Sequence, residues 1–327
     1  MSKFDNVKIG TGKIDDEAGK SLGLIAQYPE LFRSINVYKD EKWGWFVDFT
    51  GQPGNTYKIY PIGVDVIYQN KEHGVESIFM ASPGNGGRAL AYVSKVLGVE
   101  SEIVVPMQTA KANIKALLDL GAKVKLHGNS FDEAFAEAAR MANEKEGSYL
   151  VHPYDGERVI MGDAVLGRKI LEAIKGMDIK RIVLPIGGGG LISGITSVLK
   201  KYRPDIKIIG VQSEKNTAMI DSISAGIMKT RKAIRSMAHS TAIGKPGEIP
   251  LEILLDGIDD VVSVSEEAII KSIIEFNSKG KRVEGAGALP LAALLEGKIS
   301  NKDGKTLLVI SGANLAPEQL EEAKARV

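Results

Sequence analysis

Four consecutive glycines, Gly187 to Gly190, separate an apolar run from a helix-forming one in RIVLPIGGGGLISG (181–194). Glycine costs backbone entropy, so such a run serves something a side chain would block. A strand feeding a helix through bare backbone presents several N–H groups at the positive end of that helix, which suits a phosphate. A tight turn with close strand–helix packing is the plainer alternative, though one or two glycines would suffice for it. The run fails the dinucleotide pattern G-x-G-x-x-G, because Ile192 and Ser193 stand where the third glycine should be. A second cluster, Gly84-Asn85-Gly86-Gly87-Arg88-Ala89, satisfies the looser G-x-G-x-x-A. That fingerprint also requires an acidic residue near the end of the next strand. The next strand, EIVVP, has Glu102 at its start and closes on Pro106, so a nicotinamide-dependent dehydrogenase stays an alternative only.

Composition narrows the chemistry further. The 327 residues are 44% hydrophobic and 25% charged, with a formal net charge of +1. Nothing there favours nucleic acid or an anionic membrane surface. No apolar run approaches the roughly 20 residues of a membrane span. The opening MSKFDNVKIG lacks the apolar stretch of a signal peptide, and a cytoplasmic protein is expected. With no cysteine, thiolate nucleophiles, disulfides and sulfur-ligated metals are excluded. His73, His127, His152 and His239 are scattered without metal-ligand spacing, and no metal site is expected.

The elements that must position these loops alternate regularly. IFMAS (78–82) reads as a strand, followed by a helix that stops at Gly98. EIVVP (102–106), KVKLHG and SYLVHP are further strands, separated by the helices KANIKALLDLG and SFDEAFAEAARMANEKEG, the latter with Ser130 as N-cap. A second series holds RIVLPI, the helix after the glycines, KIIGVQS and TLLVIS. Strand–helix alternation at this spacing means parallel sheets with helical crossovers. The expectation is an α/β protein with two open, mostly parallel sheets in interleaved domains: 1–75 with 153–327 as the large one, 76–152 as the small one. The helix at 156–176 is expected to bridge them. Lys39 and Lys42, in YKDEKWG, read as a solvated charged run.

Three stretches taken together carry a family likeness. SPGNGGRALAY (82–92), PIGGGGLISG (185–194) and VISGANL (309–315) resemble, in order and spacing, the signature of fold-type II pyridoxal-phosphate enzymes, and specifically the serine/threonine dehydratase family. HPYDGERVIMGD (152–163), GKPGE (244–248), DDVVSVSEEAI (259–269) and VEGAGALPLAALLEGK (283–298) extend the resemblance, which runs from about residue 50 to the C-terminus.

The resemblance implies a cofactor, pyridoxal 5'-phosphate, and a set of roles. Lys58, in NTYKIYPIG, matches the Schiff-base lysine; a helix start and partial burial would lower its pKa. Asn85 matches the residue that hydrogen-bonds the cofactor's phenolic oxygen. Gly187, Gly188, Gly189 and Gly190 would cradle the phosphate. Ser311 matches the hydroxyl facing the pyridine nitrogen, which it leaves largely unprotonated. Ser82, Gly84, Asn85 and Gly86 fall in the loop that receives the substrate carboxylate, and Gly285 in a segment lining the ring face.

Departures from the pattern concentrate near the substrate. Thr56-Tyr57-Lys58 replaces Ser-Phe-Lys, and Tyr60-Pro61 replaces Arg-Gly. Pro83 stands where related serine racemases have a second acid/base serine, which disfavours racemisation. Gly86 replaces a histidine, an exchange expected to widen the carboxylate end of the pocket, and Arg88, which replaces a glutamine, is expected to reach a second acidic group instead. Gln212 stands where some relatives carry a metal-binding acid. The implied activity is β-elimination from threonine or serine, giving a 2-oxo acid and ammonia, in a homodimer. A threonine synthase or β-replacing enzyme, and a cofactor-binding protein without catalysis, stay open beside it.

Overall fold

The computed structural model describes residues 11–327; the opening segment read above as lacking a signal peptide lies outside the described residues. Chain order is α1 (Thr11–Ile25), β1 (Asn36–Asp40), β2 (Gly44–Asp48), α2 (Ile59–His73), β3 (Ser77–Ala81), α3 (Asn85–Leu97), β4 (Glu100–Val105) and α4 (Lys111–Asp119). There follow β5 (Lys123–Leu126), α5 (Phe131–Glu144), β6 (Ser148–Leu150), α6 (Glu157–Ala173), β7 (Arg181–Pro185), α7 (Gly190–Tyr202), β8 (Lys207–Ser213) and α8 (Ala218–Ala225). The last are α9 (Glu248–Gly257), β9 (Asp260–Val264), α10 (Glu266–Ser278), α11 (Gly285–Leu295), β10 (Thr306–Ile310) and α12 (Pro317–Ala325). No described helix is long and apolar enough to cross a membrane.

Two sheets organise these elements. The larger has the order β1-β2-β10-β7-β8-β9 and the smaller β5-β4-β3-β6. Every neighbouring pair is parallel except β1–β2. Strands buried on both faces read as unbroken Val, Ile and Leu runs. Each described residue of β10, Thr306 to Ile310, is buried, as is nearly all of β7. That explains why these strands are visible in the sequence.

The hairpin β1–β2 departs from the reading of YKDEKWG as a solvated run. Asp40 Oδ1 accepts the amides of Lys42 (2.9 Å) and Trp43 (3.0 Å), closing the turn. β2 then joins β10, with Val47 opposite Val309. The lysines do face outward, Lys42 lying 4.3 Å from the Trp43 ring centroid. At an edge hairpin only one face is buried, so charged residues occupy strand positions.

Helix α6 also differs in part from expectation. It does carry the chain from β6 of the smaller sheet to β7 of the larger one. Its packing partners, however, are α7, α2 and α1. Small residues set these approaches. A Cβ at Gly162 would lie 2.5 Å from Pro61 Cα and 2.7 Å from the Tyr60 carbonyl oxygen, and one at Gly194 would lie 2.5 Å from Asp163 Cβ. Backbone thus meets backbone where α6 touches the first turn of α2. Pro61 is tolerated there because the first-turn amides of a helix have no intrahelical acceptor.

Gly162→Ala therefore forces α6 away from α2. The expected outcome is a loss of about 2 kcal/mol or more in stability, read from urea unfolding. An unchanged midpoint would mean that this approach is not tight in solution.

Candidate functional site

Lys58 is placed by main-chain bonds to a segment remote in sequence. Tyr57 N donates to Ser311 O (3.0 Å), Ala313 N donates to Asn55 O (2.9 Å), and Thr56 and Gly312 form an antiparallel bridge. The turn preceding them contains Asn55 at φ +55°, the one described non-glycine residue in the left-handed region. Asparagine tolerates that geometry better than other side chains. Lys58 then opens α2 with helical angles, as expected. Its Nζ donates to Pro153 O at 2.6 Å, on the segment leading into α6, and lies 5.0 Å from the Tyr57 ring centroid. Burial lowers the Lys58 pKa, and the negative charge of Asp163 opposes that shift.

The four glycines form a wall without side chains, and the packing around them shows why. A Cβ at Gly188 would fall 2.2 Å from Tyr154 Cδ2. One at Gly189 would meet Met219 Cε and Pro250 Cβ at 2.6 Å, and φ +102° there requires glycine in any case. One at Gly190 would lie 2.9 Å from Asp163 Oδ2. Among the described residues, the amides of Gly187, Gly188 and Gly189 donate to no main-chain carbonyl. Free donors at the amino end of the 13-residue α7 are the arrangement that suits an anion. Neighbouring loops brace it: Gly247 N donates to Gly188 O (2.9 Å), and the Asp155 carboxylate accepts the first two amides of α9, from Glu248 (2.9 Å) and Ile249 (3.1 Å).

Ser82, Pro83 and Gly84 link β3 to α3. A Cβ at Gly84 would meet nothing within 4 Å, so that backbone faces open space. At Gly86 the expected widening is not found: a Cβ would lie 3.1 Å from Ser82 Oγ and 3.4 Å from Met80 Sδ. Those two side chains fill the space, so the glycine permits close packing and opens no room.

Asn85, the first residue of α3, is buried and held from both sides. Its Nδ2 donates to Glu284 Oε1 (2.5 Å), and its Oδ1 accepts from Asn314 Nδ2 (2.7 Å). Asn314 also donates to Gly54 O (2.7 Å), and Glu284 N donates to Gly312 O (3.1 Å). Burial pushes the Glu284 carboxyl up to about 7, against hydrogen bonds from Asn85 and Ser240 and the nearby charge of Arg88. Arg88 itself is held below its ordinary value by burial, and Nη2 reaches Asn113 Oδ1 at 3.3 Å.

The structure thus brings Lys58, Ser311 and Asn85 onto one framework through residues 54–57 and 311–314, and ties the glycine wall to it through Pro153 and Tyr154. Sequence reading quoted the stretches containing Glu284, Asn314, Tyr154, Asp155 and Asp163 without singling those residues out. A polar residue between small ones, as in MGDA and VEGA, was the available signal. His152 was noted only as a non-ligand. Its Nδ1 accepts from Asp155 N (2.8 Å), and burial, with the charges of Lys58 and Lys245, lowers its pKa to about 4. Gln212 serves locally, accepting the amide of Ile220 at 2.9 Å. The described residues contain no cluster of three potential metal ligands.

The groups present fit pyridoxal phosphate: an amine of lowered pKa beside a bare backbone wall with free amides. Residues 45–312 match the family described as pyridoxal-phosphate dependent enzyme. An L-threonine ammonia-lyase of Thermotoga maritima is 36% identical over 265 residues, covering 81% of this chain and 65% of that one. An L-threonine ammonia-lyase of Geobacter sulfurreducens is 37% identical, covering 76% and 61%. The chain therefore spans somewhat under two thirds of the length of these relatives. Among solved structures, the processed form of threonine deaminase isoform 2 from Solanum lycopersicum superposes with a TM-score of 0.84 at 26% identity, covering 95% of this chain and 93% of that one.

Glu284 gives a test independent of any ligand. Its folded pKa, about 7, exceeds the ordinary 4.5, so between those values the folded chain holds a proton that the unfolded chain has lost. Stability falls as pH rises through that window and is level above it. Relative to Glu284→Gln, the wild type should lose roughly 3 kcal/mol at most over this range, read from urea midpoints of the cofactor-free chain. Parallel profiles for the two proteins would refute the assignment.

Proposed function

Because the chain belongs to the family of pyridoxal-phosphate dependent enzymes, we propose that it removes water and then ammonia from a small β-hydroxy amino acid, threonine or serine, leaving a 2-oxo acid. The observation that carries this reading is the Lys58 amine, at a helix start of lowered pKa, held on one backbone framework with Ser311 and Asn85 and beside the glycine wall. When bound, pyridoxal phosphate supplies an aldehyde that links to amines and a ring that takes up the electrons of a broken Cα–H bond.

In this reading Lys58 Nζ would hold the cofactor and would serve as the base that takes the substrate's Cα proton. A lowered pKa keeps that amine able to accept a proton near neutrality. The amides of Gly187 to Gly190 bind the phosphate. Asn85, its amide oriented by Glu284 and Asn314, would hold the ring through its phenolic oxygen. Ser311 would offer the ring nitrogen a neutral hydroxyl, a partner that suits elimination, in which the leaving group departs with the electrons. Ser82 and the open backbone at Gly84 and Asn85 receive the substrate carboxylate, with Gly86 keeping Ser82 in place. Pro83 cannot exchange a proton, so elimination is favoured over inversion at Cα.

The names of the relatives, L-threonine ammonia-lyase, support the choice of substrate. The reading extends to residues 76–152 as a small domain that closes over the site, and to a cytoplasmic homodimer as the working form, which sedimentation of the purified chain tests.

The purified holoprotein should show a visible absorbance band and release 2-oxo acid from threonine or serine. Lys58→Ala should remove the band and cut turnover by at least a thousandfold, a magnitude on the scale of removing a nucleophile or base from a catalytic unit. Persistence of the band, or borohydride trapping on another lysine, would overturn the lysine assignment. A new amino acid formed on addition of a thiol would move the activity to β-replacement.

A further inference from the structure

Asp163 is an expensive residue in its position. It lies in the interior of α6 with no solvent exposure. Among the described residues, neither carboxylate oxygen has a hydrogen-bond partner. An unpaired carboxylate in such a place costs several kcal/mol and would be replaced to advantage by an apolar side chain if packing were its only purpose.

The elements packed around it leave one charged neighbour. From α7 it meets Gly190 and Gly194, which offer backbone and no side chain. In the segment before α6, Tyr154 O, an acceptor, borders the same Gly190 backbone as Asp163 Oδ2: a Cβ at Gly190 would stand 3.0 Å from the one and 2.9 Å from the other. Toward α1, Asp15 is engaged with Arg168 (2.8 Å) and Lys201 (2.8 Å), and neither cation pairs with Asp163. From the lysine loop come Lys58 and Tyr57, whose phenol is held in the neutral form by burial first and by the charges of Asp163 and Glu284 beside it. The adjoining Gly162 abuts Tyr60 and Pro61, so the position of Asp163 is set against the turn that carries the lysine. Lys58 Nζ in turn donates to Pro153, next to Tyr154.

We propose that Asp163 is the counter-charge of Lys58: a positioning residue that acts through space on the lysine amine and sets how firmly that amine holds a proton. While Lys58 is an ammonium, the carboxylate is ionised and compensated. When the lysine nitrogen is neutral, nothing opposes the desolvation of Asp163, and the carboxylate takes up a proton itself. Burial accordingly raises its pKa above the usual carboxylate range, and the charge of Lys58 opposes that shift. The proton taken from a substrate by Lys58 is then held beside a negative charge. The consequence for catalysis rests on the role given to Lys58 above; the pairing of the two side chains does not.

The test uses the full chain without cofactor, its lysines reductively methylated with carbon-13 and the Lys58 signal assigned by its loss in Lys58→Arg. Asp163→Asn keeps shape and removes charge, and Asp163→Ser provides a second, smaller variant. In both, the Lys58 protonation constant should fall at least tenfold, one pKa unit. In the loaded enzyme, kcat should fall with little change in KM, and its acidic limb should move to lower pH. An unchanged Lys58 titration in a folded variant refutes the pairing. Trapping of the cofactor on a different lysine would overturn the catalytic reading while leaving the titration result to stand by itself.

Discussion

Backbone pairing between residues 55–57 and 311–313 is the constraint from which the site follows. Tyr57 N to Ser311 O, Ala313 N to Asn55 O and the Thr56–Gly312 bridge join the approach to α2 with the exit from β10. Such bonds fix position with little freedom, because each amide and carbonyl has a single short reach. Lys58 follows this junction by one residue and Ser311 is part of it. Asn314, one residue beyond Ala313, reaches across to Asn85 on the smaller sheet's first helix. A change in where β10 ends would move all of these groups together.

Around that junction the chain concentrates buried ionisable groups, each dry for a different reason. Glu284 is tied by Asn85 and lies near Arg88. His152 accepts backbone amides and stays neutral. Asp163 has no hydrogen-bond donor among the described residues. Groups whose pKa values burial displaces cluster where protons are handled. The glycine wall belongs to the same logic: removing every Cβ brings Tyr154, Met219 and Pro250 against backbone on one side and leaves amides free on the other.

Much of the fold was legible because parallel strands buried on two faces must be apolar throughout. Arg181–Pro185, Lys207–Ser213 and Thr306–Ile310 show this directly. The β1–β2 hairpin was not, because its lysines satisfy a half-exposed strand and a solvated loop equally well. The bridging role read into α6 held for the chain path and not for its packing, since the amphipathic pattern tells that a helix is covered and not by which neighbour. At Gly86 the missing side chain did not mean a wider pocket, because Ser82 and Met80 occupy the space.

By itself the sequence determined the alternation of strands and helices, the bare-backbone loop after β7, and the family likeness that singled out one lysine among many. These are local properties: hydrophobic period, glycine content and order of short stretches. Only the tertiary structure decided that Asn85 is gripped by Glu284 and Asn314, that Pro153 receives the Lys58 amine, and that Asp163 lies buried without a partner near it. The reason is physical. An aspartate in MGDA has the same composition whether water surrounds it or not, and its charge acquires a function only when folding removes the water and leaves one cation to answer it.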